Sequence, residues 1–123
     1  MTIIEAINRI DILKPNTYTQ DTKMYWLSRL DGIVFKKIIK THEGAENKEF
    51  KGYTEETALD TALLVPAPYD DIYLKWLEAQ IDYANGEYDK YNNIIVAYND
   101  AYTEFERYYN RTHMPLSKHF KYF

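Results

Sequence analysis

Apolar residues recur along the chain in blocks whose spacing marks out its elements. Ile3, Ile7 and Ile10 share one helical face, with Leu13 close by, and predict a short helix over residues 2–13. Thr2 and Glu5 form an S/T-x-x-E capping box at its start, each side chain serving a free backbone N–H. Lys14-Pro15-Asn16 ends it, because the residue before a proline avoids helical dihedrals. Leu27, Leu30, Val34 and Ile38 repeat at helical spacing, widened by Trp26, Ile33 and Phe35. They predict a second helix that begins at Thr19 or Asp21, runs to about Thr41 and forms the centre of the core. Gly32 inside it costs about 1 kcal/mol relative to alanine and is expected to mark a close helix contact.

Periodicity is lost from His42 to Leu59, in "HEGAENKEFKGYTEET" and its flanks, which reads as a long irregular loop. Phe50 and Tyr53 flank Lys51-Gly52 in a pattern that allows a short hairpin. Leu63-Leu64-Val65 is then an apolar strap, kept extended by Pro66 and Pro68. Asp70 and Asp71 follow at the start of a third helix, where carboxylates accept free N–H groups and favour the positive end of the dipole. That helix runs from about Asp70 to Ala84, with Tyr73, Leu77, Ile81 and Ala84 on its inner face. Asn85-Gly86 stops it and reverses the chain, so the fourth helix, from Glu87 to between Asn110 and His113, lies antiparallel to the third. Tyr88, Tyr91, Ile95, Tyr98, Tyr102, Phe105 and Tyr109 form its heptad seam. The fold expected is all-α: a small four-helix, bundle-like domain over residues 1–114, a long irregular loop between helices two and three, and an extended C-terminal tail over 115–123.

A chain of 123 residues makes one domain with a real core and no need of staples. Cysteine is absent, which excludes disulfides, zinc-thiolate sites and a thiol nucleophile. Neither a signal peptide nor an apolar run of membrane-spanning length is expected. The net charge of −4 is unevenly spread. From Arg107 onward there are four basic residues and no acid, which leaves 11 basic and 19 acidic residues in the body. Tyrosine is abundant, 13 residues, and suits half-buried positions and protein surfaces that meet partners.

Catalytic patterns are missing. No phosphate-cradling glycine loop, nucleophile elbow or HExxH helix occurs. Of the three histidines, His42 lies among the loop acids, and His113 and His119 flank the tail proline; none has diagnostic ligand spacing. No enzyme activity, cofactor or metal is expected. An acidic chain with a pI near 5.3 also argues against sequence-specific DNA binding, leaving at most non-specific contact with passing DNA.

Three segments resemble a known family: "WLSRLDGIVFKKIIKTHEG", "LLVPAPYDDIYLKWLEAQIDYANGEYDKYNN" and "YYNRTHMP", together spanning about Asn16 to Pro115. They are similar to small head–tail connector, or head-completion, proteins of phages and prophages of Gram-positive bacteria. The resemblance implies a small helical bundle that catalyses nothing and forms a ring under the portal. Such a ring extends the DNA channel and offers the surface to which the tail or stopper attaches. The implied partners are the portal protein, tail or stopper proteins and further copies of the chain, with no membrane. The implied location is the host bacterial cytoplasm during assembly and then the virion neck.

Within that frame two segments are free of the bundle. The tail is expected to dock on a portal or neighbouring subunit through Arg111, Lys118 and Lys121, with Phe120, Tyr122 and Phe123 as aromatic anchors. The rival is a tail folded back on its own bundle. The loop carries six acids against two lysines from Glu43 to Asp60, so Glu43, Glu46 and Glu49 are candidates to line the channel or to face the next ring. The alternative function is a small helical interaction module, an assembly chaperone or regulator absent from the finished particle.

Overall fold

A computed structural model describes residues 1–115. Four α-helices carry the fold: α1 Ile3–Leu13, α2 Gln20–Lys37, α3 Ile72–Ala84 and α4 Tyr88–Thr112. The expected all-α, four-helix architecture is present, and among the described residues extended pairing is confined to two isolated bridges, Thr2 with Ala62 and His42 with Pro115.

The capping box starts α1 as read: Glu5 N donates to Thr2 Oγ1 at 3.2 Å, and Thr2 N donates to Glu5 Oε1 at 3.0 Å. Ile3, Ala6, Ile7 and Ile10 face the core. The first turn of α1 leaves backbone N–H groups over, and the segment that leads from the loop into the strap takes two of them. Ile3 N donates to Thr61 O at 3.0 Å and Ile4 N to Leu59 O at 2.9 Å. Leu63 N returns a bond to Met1 O, also at 3.0 Å, so the strap is stitched to the start of the chain. Leu63 and Val65 point inward from it and are buried.

Thr19, not Asp21, caps α2, through a bond from Thr22 N to its hydroxyl. Leu27, Leu30 and Val34 are fully buried, as their spacing predicts. The helix ends at Lys37, short of Thr41, and tightens into a 3₁₀ turn over Ile39–Thr41. The reason is local: the Thr41 hydroxyl and the His42 ring both take the Ile38 carbonyl, at 2.8 Å and 2.6 Å, which closes the helix there. Gly32 does not mark a helix contact. A Cβ at this position would meet only the Phe50 ring, at 4.0 Å, because the loop covers that face.

The entrance to α3 also differs from expectation. Pro66 and Pro68 do end the strap, and a 3₁₀ turn over Tyr69–Asp71 leads into the helix. Neither Asp70 nor Asp71 caps it, because Asp71 already has helical dihedrals (φ −60°, ψ −18°) rather than the extended ones a capping residue needs. Asp70 lies 3.4 Å from the Met1 nitrogen, and Asp71 pairs with Lys75 one turn on.

The reversal from α3 to α4 follows the sequence closely. Gly86 takes φ +75°, Gly86 N bonds Tyr83 O at 3.0 Å and Glu87 N bonds Asp82 O at 2.9 Å, a Schellman closure. At about 1.5 Å per residue the 25 residues of α4 span about 37 Å, well beyond the 13 of α3, its main partner. The seam therefore deepens toward its second half. Phe105 and Tyr98 are buried, Tyr91, Ile95, Tyr102 and Tyr109 are half-buried, and Tyr88 is exposed beside Tyr83 at the open end. Trp76 joins α3 to α2 by donating from Nε1 to Trp26 O at 2.8 Å.

Candidate functional site

Asp31 holds the non-helical segments against the bundle. It sits among the apolar residues of α2 and is 0% exposed. Three donors converge on its carboxylate: Tyr73 OH at 2.6 Å, Tyr53 OH at 2.5 Å and Leu64 N at 3.1 Å. Tyr73 OH in turn accepts from Val65 N at 2.7 Å. One buried acid thus fastens α2, the loop, the strap and α3 together. Burial pushes its carboxyl above the usual range, outweighing the hydrogen bonds that favour the charged form. The Tyr53 and Tyr73 phenols are held well above theirs, first by burial and then by the Asp31 charge, so both stay protonated and donate.

The loop itself is ordered around Lys40. Its ammonium donates to the carbonyls of Ala45, Glu46 and Lys48 at 3.1, 2.9 and 2.7 Å. No hairpin forms at Lys51-Gly52, because that backbone is drawn to α2 instead. Tyr53 N bonds Ser28 Oγ at 3.0 Å, and Gly52, with φ +83°, passes so close that a Cβ would lie 2.9 Å from the same oxygen. The result is a surface groove floored by Gly32, Phe35 and Phe50 and walled by Lys36, Lys40, Lys48 and Glu49.

The loop and the end of α4 meet at His42, which is buried. Its Nδ1 bonds Ile38 O and its Nε2 lies 2.8 Å from the side-chain amide of Asn110, with Tyr109 edge-on to the ring. Both ring nitrogens are engaged within the fold, and His113 stacks on Tyr109 at 3.7 Å. Among the described residues no group of three or more histidines and acids converges as a metal site. Glu43 N donates to Met114 O at 2.8 Å beside the His42–Pro115 bridge, so the start of the loop and the chain leaving α4 are bonded to each other.

Glu43, Glu46 and Glu49 are all exposed on the loop. They are not equivalent: Glu46 accepts from Gly44 N, while Glu49 faces the groove lysines. Arg111 is exposed in the last turn of α4, near the chain exit. Lys118, Phe120, Lys121, Tyr122 and Phe123 lie outside the described residues, as does His119.

Sequence reasoning missed Asp31 and the groove, yet each left a signal. Asp31 falls on the buried stripe with Leu27, Val34 and Ile38, where an acid needs partners. Gly32, Lys36 and Lys40 recur every fourth residue along α2 and the 3₁₀ turn that follows it, with no acid among them. The chain matches no protein-family model, no curated protein and no solved structure with which it was compared.

Proposed function

We propose that the protein is a non-enzymatic structural subunit of a phage virion. In this reading it is a head–tail connector that joins further copies in a ring below the portal, extends the DNA channel and offers the surface for the tail or stopper. The observation that carries it is the polarity of the bundle. The loop and the chain beyond α4 leave together at one end, tied by the His42–Pro115 bridge. The opposite end, where Lys14 meets Asp82, presents exposed Ile12, Leu13, Tyr83 and Tyr88. Two unlike ends suit a heterologous, head-to-tail contact, and such a contact closes a ring when its rotation allows.

The reading assigns Arg111, Lys118, Phe120, Lys121, Tyr122 and Phe123 to a portal or neighbouring subunit, and Glu43, Glu46 and Glu49 to the channel or the next ring. The test is on particles. Deleting the gene from its parent phage genome and imaging the lysate by electron microscopy should show separate tails beside tailless heads. Normal tailed, infectious particles would overturn the neck assignment and favour an interaction module absent from the virion.

A further inference from the structure

In this acid-rich chain most buried or partly buried ammonium groups rest on a carboxylate. Lys14 meets Asp82 and Lys23 meets Asp11, each at 2.6 Å, and Lys75 pairs with Asp71 at the entrance to its helix. The groove breaks that habit at its half-buried Lys40, beside the exposed Lys36 and Lys48. Lys36, Lys40 and Lys48 converge on it, and none of the three has a carboxylate partner among the described residues. Glu49, the one acid in the wall, pairs with none of them. The three carbonyls that hold the Lys40 ammonium fix its position and leave its charge unneutralised. Gathering like charges costs free energy that an anion from outside recovers.

The floor of the groove says which kind of anion. Phe35 and Phe50 lie there with centroids 6.1 Å apart, roughly parallel, and both are half-buried. Lys40 Nζ lies 5.9 Å from the Phe35 centroid. Gly32 also lines the groove, where a Cβ would come no nearer than 4.0 Å to the Phe50 ring. Cations beside half-exposed aromatic rings match a chain that alternates phosphates with flat bases, and only a single strand frees its bases to stack. An acidic peptide would use the lysines and leave the rings idle.

We propose that this groove binds single-stranded nucleic acid, with Lys36, Lys40 and Lys48 on backbone phosphates and a base against Phe35 or Phe50. The proposal does not rest on the connector reading, since it is argued from the lysines and rings of the groove alone. Outside Lys36, Lys40, Lys48 and Glu49 the chain holds 12 basic and 18 acidic residues, a net of −6 that opposes non-specific adhesion over most of its length.

The test is fluorescence anisotropy of a labelled oligothymidylate titrated with the whole chain at several salt concentrations. Three phosphate contacts predict a log–log salt slope of about −2, so a fourfold rise in salt weakens binding roughly 20-fold. Lys36→Gln with Lys48→Gln should cut the slope to about −0.7 and abolish most binding. Lys75→Gln with Lys90→Gln, lysines of α3 and α4, should leave it intact. Circular dichroism of both double variants checks that they fold. Absence of binding at low salt, equal loss in both double variants, or equal binding of polyglutamate would overturn the proposal. A duplex that binds more tightly than the single strand would overturn the base-stacking part of it.

Discussion

Replacing Asp31 by alanine removes the acceptor on which α2, the loop, the strap and α3 converge. Three donors lose their partner: Tyr73 OH, Tyr53 OH and Leu64 N. Tyr53 is half-buried, so its hydroxyl turns to water at little cost. Tyr73 is 0% exposed, and a buried donor left unsatisfied costs up to about 3 kcal/mol, to which Leu64 N, on a half-buried residue, adds about 1 kcal/mol. The sum, about 4 kcal/mol, is a large part of the roughly 5–15 kcal/mol that holds a domain of this size folded. It corresponds to a fall in Tm of about 15 °C. Asp31→Asn should cost less, about 1–2 kcal/mol, because the amide oxygen still accepts and its NH2 can donate to the Tyr53 hydroxyl. The pH dependence has a definite sign. The Asp31 carboxyl is raised in the folded state, so the folded protein binds more protons than the unfolded one through that range. Its contribution is full below the ordinary carboxylate range and is lost as pH rises through the raised value. The gap between wild type and Asp31→Asn, read by urea denaturation, should therefore narrow as pH rises. A gap that widens with pH, or an Asp31→Ala variant within about 1 kcal/mol of wild type, would refute the reasoning.

Three further substitutions test other parts of the fold. Lys40→Met strips the loop of the ammonium that holds three of its carbonyls. Cleavage after Glu46 or Glu49 by a glutamate-specific protease should then rise about tenfold, while Tm falls by only a few degrees; unchanged cleavage would mean that the loop is held otherwise. Gly52→Ala meets both a left-handed φ and the Ser28 hydroxyl at 2.9 Å, so a loss of about 1–3 kcal/mol is expected in a thermal melt; a neutral result would show that the loop shifts freely. Reversing the charge of Glu43, Glu46 and Glu49 tests the channel assignment: DNA exit from particles should slow, and unchanged ejection would leave these acids as a solvated surface.

The parts legible in the sequence are those settled within a few residues. The Thr2–Glu5 box, the α2 cap and the Asn85-Gly86 reversal each depend on neighbours in the chain; the box and the reversal formed where they were read, and the cap at Thr19, one of the two positions read for it. The parts that were not legible depend on distant partners. Where α2 stops is decided by His42, which is held in turn by Asn110 on α4. The Lys51-Gly52 segment has hairpin chemistry, but Ser28 and Asp31 on α2 compete for its backbone and for Tyr53. Asp70 and Asp71 have the right chemistry for a cap and the wrong dihedrals, because the 3₁₀ turn reaches the helix already wound. The groove combines both cases: its α2 face is written at every fourth residue, while Lys48 arrives only through the folded path of the loop.

The bond from the Trp76 indole to the Trp26 carbonyl has an optical consequence. The chain has two tryptophans, and both lie at this contact of α2 with α3. Tyr18 lies 5.5 Å from Trp26 and Tyr98 lies 5.0 Å from Trp76, so each indole has a phenol donor close enough to pass it excitation. Emission excited at long wavelength therefore reports one seam of the bundle, whereas far-ultraviolet dichroism reports all four helices. If α4, leaning mainly on α3, were to peel away first, it would take Tyr98 from Trp76, and the emission would shift while the dichroic signal of the other three helices persists. Superimposed curves would instead show that the whole bundle melts as a single cooperative unit.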